Sequence, residues 1–268
     1  MMNSPLIFVV IPTYNEADNL PELATRLMNL PLKRLHLLIV DDNSPDGTGP
    51  VADALKECLK GVHVLHRARK SGLGSAYLDG FHYALNHGAD YVIQMDADFS
   101  HSPEHIPQML RRAREFDVVV GSRYVAGGAV DPRWSWWRHG LSRWANQIYV
   151  RAILGLDVAD ATAGFKCWSR PALQAVLQQP VSSSGYIFQV EMAYLAQKLG
   201  LRVFETPIYF EDRRIGRSKM SWSVKIEAMW RTWLLRWRHA QVQPEPTEQS
   251  SPSPARRAPI SPFKLREF

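Results

Sequence analysis

The feature that most limits what this chain can become is a series of apolar runs, each ending in polar residues. Residues 6–11, 35–40, 62–65, 91–95 and 117–121 are apolar almost throughout. Between them, apolar residues recur at helical spacing: Leu20, Leu23 and Leu27, then Val51, Leu55 and Leu59, then Tyr77, Phe81, Ala84 and Leu85. Ser102-Pro103 adds an N-cap followed by proline at the first helical position. Strands wetted on one face alternate in polarity, whereas strands covered on both faces do not. The chain is therefore expected to form an α/β fold with a mainly parallel central sheet and helices on both faces.

In such sheets, ligands bind beyond the carboxyl ends of the strands. The polar clusters fall there: Thr13-Tyr14-Asn15-Glu16, Asp41-Asp42, His66-Arg67, Asp96 with Asp98, and Ser122-Arg123. Asp96-Ala97-Asp98 is the most telling. Residues i and i+2 of a strand point the same way, so a turn after residue 95 lets both carboxylates converge. Two uncompensated carboxylates repel each other. A hard cation such as Mg²⁺, which binds through one or two carboxylates plus substrate phosphates, resolves that repulsion. An isolated Asp-x-Asp is more often a solvated turn; its place among the other strand ends gives it weight. Tyr14 can stack on a base, and Glu16 and Asp42 can accept from base N–H groups or ribose hydroxyls. Together they outline a nucleoside-diphosphate pocket without a Gly-x-Gly-x-x-Gly or a P-loop; Gly72-Leu73-Gly74 is too short for either. Taken singly, each is a cap or turn residue, as Asn15 and Asp46-Gly47 illustrate.

After Arg123 the pattern changes. Gly127-Gly128 and Asp131-Pro132 predict a loop, and residues 133–138 mix Arg with Trp. Helices are expected near 141–154 and 187–199, a loop at 161–166, and a strand at 202–210 with Pro207 marking an edge or end. Arg123, Arg138, Arg213, Arg214 and Lys219 form a cationic set suited to phosphate. Residues 221–240 carry Trp222, Trp230, Trp233 and Trp237 at helical spacing beside Lys225, Arg231, Arg236 and Arg238. Such a helix can lie in a membrane interface or pack on the domain. Residues 241–268, with Pro among Ser, Gln and Arg, cannot bury enough apolar surface to order themselves and are expected to be disordered. The net charge of +6 suits acidic partners. Cys58 and Cys167, far apart, are expected to be buried free thiols. No signal peptide and no run of roughly 18 apolar residues is visible, which predicts a soluble or peripheral protein.

The set of motifs, in its order, resembles the inverting family 2 glycosyltransferases of GT-A fold, and among them the polyprenol (dolichyl) monophosphate mannose synthases. The resemblance covers residues 5–222. It rests on residues 12–16, Asp41-Asp42-Asn43-Ser44-Pro45-Asp46-Gly47-Thr48, Gly72-Leu73-Gly74, residues 95–101, Gly121-Ser122-Arg123-Tyr124, Ala163-Gly164-Phe165-Lys166, residues 185–192 and residues 212–219. Asn43 stands where the family often has Gly. The implied organisation is a Rossmann-like nucleotide-diphospho-sugar transferase domain at 1–220, an amphipathic interfacial helix at 221–240, and the Pro-rich tail.

The resemblance implies transfer of mannose from GDP-mannose to a polyprenyl (dolichyl) phosphate. Pro12, Tyr14, Glu16, Val40 and Asp42 would contact guanosine. Asp96, Ala97 and Asp98 would lie at the diphosphate, with Asp98 and Ser100 beside Mg²⁺ or Mn²⁺. Arg123, Arg138, Arg213 and Lys219 would hold the phosphates of donor and acceptor, and Gln189 and Glu191 would lie near the sugar. Asp96, Asp98, Arg123 and Arg213 would carry the catalytic roles. A polyprenyl-phosphate glucosyltransferase using UDP-glucose is the alternative, because only the base pocket separates the two. A nucleotidyltransferase would be expected to show a Gly-rich loop with a basic residue after the first strand, and Pro12-Thr13-Tyr14-Asn15-Glu16 occupies that place. The acidic strand ends oppose nucleic-acid binding. The enzyme is expected at the cytoplasmic face of a membrane, where a separate membrane-anchoring protein is a further expected partner.

Overall fold

The computed structural model describes residues 4–133, 140, 143–183, 185–212 and 222–243. The first half follows the alternation in the sequence: β1 (Ile7–Thr13), α1 (Leu20–Met28), β2 (Leu35–Asp41), α2 (Thr48–Cys58), β3 (Val62–His66), α3 (Leu73–Asn86), β4 (Tyr91–Gln94), α4 (Ile106–Arg112) and β5 (Val118–Ser122). A two-residue strand β6 (Ala129–Val130) follows, then a π-helical stretch over Ala145–Val150 running into α5 (Arg151–Leu154). The chain continues as β7 (Lys166–Ser169), α6 (Arg170–Leu177), α7 (Gly185–Lys198), β8 (Val203–Pro207), β9 (Tyr209–Phe210) and α8 (Trp222–Arg238).

Seven strands form one sheet in the order β3-β2-β1-β4-β7-β5-β8. All pairings are parallel except those of β7, which runs antiparallel between β4 and β5. β6 and β9 form a separate parallel pair. Strand β7 is where the sequence was least legible. Lys-Cys-Trp-Ser is short, starts with a charge and shows no alternation, so its first residue was expected in a loop. The strand at 202–210 divides after Pro207, which cannot donate to a ladder.

Alternate residues of each strand feed opposite cores, as the pleat requires. Val9, Ile11, Leu37, Ile39 and Ile93 pack with Leu20, Leu23 and Leu27 of α1 and Ile106 and Met109 of α4. Phe8, Val10, Leu38, Val40 and Val92 face the other way, against Tyr77 and Phe81 of α3, Leu173 of α6 and Phe188 and Met192 of α7. Each such buried side chain contributes on the order of 1.5–3 kcal/mol. Cys167 is buried, as expected. Cys58 is instead exposed: it is the last residue of α2, on a turn that faces solvent.

Helix α3 lies closely on the sheet because Gly80 has no side chain. A Cβ there would sit 2.4 Å from Val10 Cγ1 and 3.1 Å from Val40 Cγ2. This contact sets the height of α3 over β1 and β2. Gly80→Ala is therefore expected to destabilise the protein by about 1–3 kcal/mol through overpacking, despite alanine's better helix propensity. Chemical denaturation should show the lower midpoint.

Candidate active site

The register of the parallel strands brings the loops after β1, β2 and β4 to one edge. Pro12 pairs with Val40 and Thr13 with Asp41. The loops are then stitched together by short polar side chains. Ser44 Oγ accepts from Asn15 N at 3.1 Å, Thr48 Oγ1 from Glu16 N at 3.0 Å, and Asp46 from Ala17 N at 3.2 Å. Asp46 also takes the N–H and hydroxyl of Thr48, and its carboxyl is held below the usual range; burial opposes this, but the Thr48 bonds outweigh it. Asn15 and Asn43 sit at φ 61° and 58° in these loops. Asn adopts the left-handed region more readily than most residues, so Asn43 meets the same backbone requirement as glycine.

Asp42 is buried and anchors the loop after β3. It accepts from Arg67 Nη1 at 2.5 Å and from the N–H groups of Ser71 and Gly72 at 3.1 and 3.0 Å. The same loop carries Lys70, whose Nζ lies 3.5 Å from the centroid of the Tyr14 ring. Glu16 accepts from Asn19 Nδ2 at 2.8 Å. Tyr14, Glu16 and Asp42 thus lie at neighbouring strand ends.

Asp96 and Asp98 lie in the turn after β4. Phe99, which is buried, holds φ 62° there; a bulky residue in that region costs about 1–2 kcal/mol. Such strain is often found at functional turns. Asp98 is nearly buried and accepts from the N–H of Ser100 at 3.1 Å and from its hydroxyl. Asp96 is more open and accepts from Tyr77 Oη at 2.8 Å. Burial, then the charge of Asp96, pushes the Tyr77 phenol well up, so it remains a donor. Gly164 gives Asp96 room: a Cβ there would fall 2.9 Å from its Oδ2.

Three residues that sequence reasoning gave no role complete this centre. His101 is fully enclosed, stacked on Phe165, and its Nδ1 accepts from the Asp96 N–H at 3.3 Å. Burial lowers its pKa, which agrees with a neutral ring. Phe210 links this ring to Arg123: its centroid lies 5.5 Å from that of His101 and 5.1 Å from the Arg123 guanidinium. Lys166 is fully buried; Nζ donates to Ala163 O and to Gln189 Oε1, the latter at 2.9 Å. Burial pulls its pKa down to about 7, against the attraction of Asp160 and Asp96. Asp160 is fully buried and grips Arg123 in a fork, Nε at 2.8 Å and Nη2 at 2.6 Å, while also accepting from the Arg123 N–H. The backbone of Ala159 and Asp160 is in turn held by Glu205 of β8. The signal for Lys166 was a charge beside an apolar pair, Cys167-Trp168; for Asp160 no sequence signal stands out.

Gln189 and Glu191 separate. Two residues apart on α7, they point to different sides of the helix. Gln189 joins Lys166 and Gln94, the latter at 2.5 Å, beneath the acidic turn. Glu191 is buried under α8, taking the N–H groups of Ser182 and Ser183 and bonding His239 Nε2 at 2.9 Å. Ala97 and Ser100 are buried in the turn. Arg138, Arg213, Arg214 and Lys219 lie outside the described residues.

The donor set is two carboxylates with a hydroxyl beside them. Among the described residues no group of three or more His, Cys, Asp or Glu could hold a metal alone. Two carboxylates and a hydroxyl fit a hard cation that shares its coordination with substrate phosphates. Removing one partner of a buried charge pair costs about 3–5 kcal/mol. Asp160→Ala is therefore expected to lower stability by that amount in urea unfolding, since it takes a buried carboxylate away from the Arg123 guanidinium.

The glycosyl transferase family 2 model matches residues 8–177. An undecaprenyl-phosphate mannosyltransferase of Micrococcus luteus is 43% identical over 223 residues, 83% of this chain and 90% of that protein. A polyprenol monophosphomannose synthase of Mycolicibacterium smegmatis is 44% identical over 234 residues, 86% of this chain and 87% of that protein. The crystal structure of glucosyl-3-phosphoglycerate synthase from Mycobacterium tuberculosis, in complex with Mn²⁺, UDP and glucosyl-3-phosphoglycerate, superposes with a TM-score of 0.63 at 19% identity. It covers 90% of this chain and 82% of that one, and shares the fold. Strand order, strand-end acids and sequence agree: the chain belongs to glycosyl transferase family 2.

Proposed function

We propose that the protein transfers mannose from GDP-mannose to the phosphate of a polyprenol, giving polyprenyl-phosphate-mannose and GDP. The acidic turn Asp96–Asp98, oriented by Tyr77, His101 and Ser100 and faced by Arg123, carries this reading. The two relatives above 40% identity, both named for mannosyl transfer to a polyprenol phosphate, support the choice of sugar and acceptor.

The acceptor is a phosphate whose second pKa is about 6, so its attacking oxygen is anionic without a general base. That oxygen would bond to the anomeric carbon as the bond from that carbon to the GDP oxygen breaks, in one inverting displacement. Mg²⁺ or Mn²⁺, held by Asp98 with Ser100 beside it, would supply charge neutralisation on the departing diphosphate. Tyr14, Glu16, Asp42, Pro12 and Val40 would seat the guanosine. Arg123, fixed by Asp160, would hold phosphate without a reorganisation cost at the moment of transfer; Arg138, Arg213 and Lys219 are assigned the same task. Gln189 would act through the Lys166–Gln94 network under the sugar, whereas Glu191 would hold the backbone of residues 182–183 and His239 in place. Among the described residues no helix is long and apolar enough to cross a membrane. Attachment would be peripheral, through α8, whose Trp230, Trp233 and Trp237 are exposed, at the cytoplasmic face.

The test is a transfer assay with Mg²⁺ or Mn²⁺, a polyprenyl phosphate, and labelled GDP-mannose or UDP-glucose in parallel. Label is expected in the lipid phase from GDP-mannose alone. Product only from UDP-glucose would move the donor, and no lipid product from either would contradict the acceptor. Asp98→Asn is expected to cut turnover by about a hundredfold or more. Turnover within a few-fold of the parent would refute the role given to Asp98.

A further inference from the structure

A second recess lies away from the acidic turn. It is a groove of about 440 Å³ between α8 and residues 182–183, lined by Ser182, Ser183, Trp230, Arg231, Leu234 and Arg238. It shares no residue with the candidate active site. Residues 230, 234 and 238 lie at i, i+4 and i+8, so they form one stripe along the helix. Buried Leu235 forms the floor of the groove, and α8 is closed off beyond it at Thr232. The groove therefore has a closed floor and an open, amphipathic rim.

Its chemistry is selective. Arg231 and Arg238 flank an apolar bed, and no Asp or Glu occurs between Glu227 and Glu245. Arg238 donates to Ser182 Oγ, and its guanidinium lies 3.8 Å from Glu191, which fixes it at the rim. Guanidinium groups suit phosphate because their paired N–H groups match its oxygens. Trp230 and Trp237 are 68% and 80% exposed. Trp exposed to that degree on a basic helix belongs at a bilayer interface, with the ring at headgroup level.

We propose that this groove seats the phosphate headgroup of an anionic membrane phospholipid, with Arg231 and Arg238 on the phosphate and Trp230 and Leu234 against the upper acyl chain. This lipid is bulk bilayer, distinct from the polyprenyl phosphate that reacts: the acceptor phosphate must reach the sugar beside Asp96 and Asp98, whereas the groove is lined by α8 and residues 182–183. The proposal rests on the interfacial placement of α8 but is finer than it. Interfacial binding needs only the Trp face; the groove adds a preference for negative headgroups.

The experiment is vesicle flotation of the full chain with phosphatidylcholine alone and with phosphatidylcholine doped with phosphatidylglycerol, at low and high salt. The parent protein should prefer the anionic vesicles and lose that preference at high salt. Arg231→Gln/Arg238→Gln should weaken binding to anionic vesicles by about twentyfold, and Arg231→Gln alone by about fivefold, with neutral vesicles unaffected. Circular dichroism melting confirms that each variant is folded, and the single variant leaves the Arg238 contacts intact. Trp237→Ala should weaken binding to both vesicle types. Equal binding of parent and Arg variants to anionic vesicles would overturn the headgroup site while leaving the interfacial helix. Failure of the parent to bind either vesicle would overturn both. In detergent with a soluble short-chain polyprenyl phosphate, the double variant should keep the parent's KM for acceptor. A large rise there would assign the groove to the reacting lipid and overturn the proposal.

Discussion

The site depends on keeping several carboxylates together at the rim of an apolar sheet. Asp98 and Asp160 are almost removed from water, and Asp96 is only partly open to it. Left alone, such groups would repel each other. The structure meets that cost with neighbours of fitting chemistry: the forked Arg123 on Asp160, the Tyr77 hydroxyl on Asp96, the Ser100 hydroxyl and N–H on Asp98, and the buried Lys166 nearby. Each neighbour comes from a different element. The antiparallel insertion of β7 between β4 and β5 is what delivers Lys166 to this place.

The nucleotide side is built differently. There short side chains, charged and uncharged, bridge the loops. Ser44, Asp46 and Thr48 hold the backbone of residues 15–17, and Asp42 holds the loop of residues 67–72. Hydrogen bonds of this kind contribute about 1 kcal/mol each, but jointly they fix three strand-end loops at one height. A pocket assembled from loops gains its precision that way.

Much of this was legible in the chain. The apolar runs give the parallel half of the sheet because strands buried on both faces need no alternation, and their polar ends mark the ligand edge. The turn role suspected for Asp46-Gly47 and Asn15 is borne out, and Asn43 explains itself by its left-handed φ. What could not be read was long-range. Asp160 gains meaning only through Arg123, 37 residues away. His101 acts through a backbone N–H, and Lys166 opens a strand too short to show a period. Cysteine is usually buried, yet Cys58 ends a helix at the surface. Glu191, grouped with Gln189 by sequence, belongs to the other side of α7, where it ties α8 to the domain through His239.

If the acidic turn joins a divalent cation to the diphosphate of the donor, metal and nucleotide must bind together. The most direct measurement is calorimetric titration of GDP with and without Mn²⁺, in the parent and in Asp98→Asn. Mn²⁺ is expected to tighten GDP binding by roughly tenfold or more in the parent and to have little effect in the variant, with metal-free GDP binding similar in both. Equal tightening by Mn²⁺ in parent and variant would contradict it.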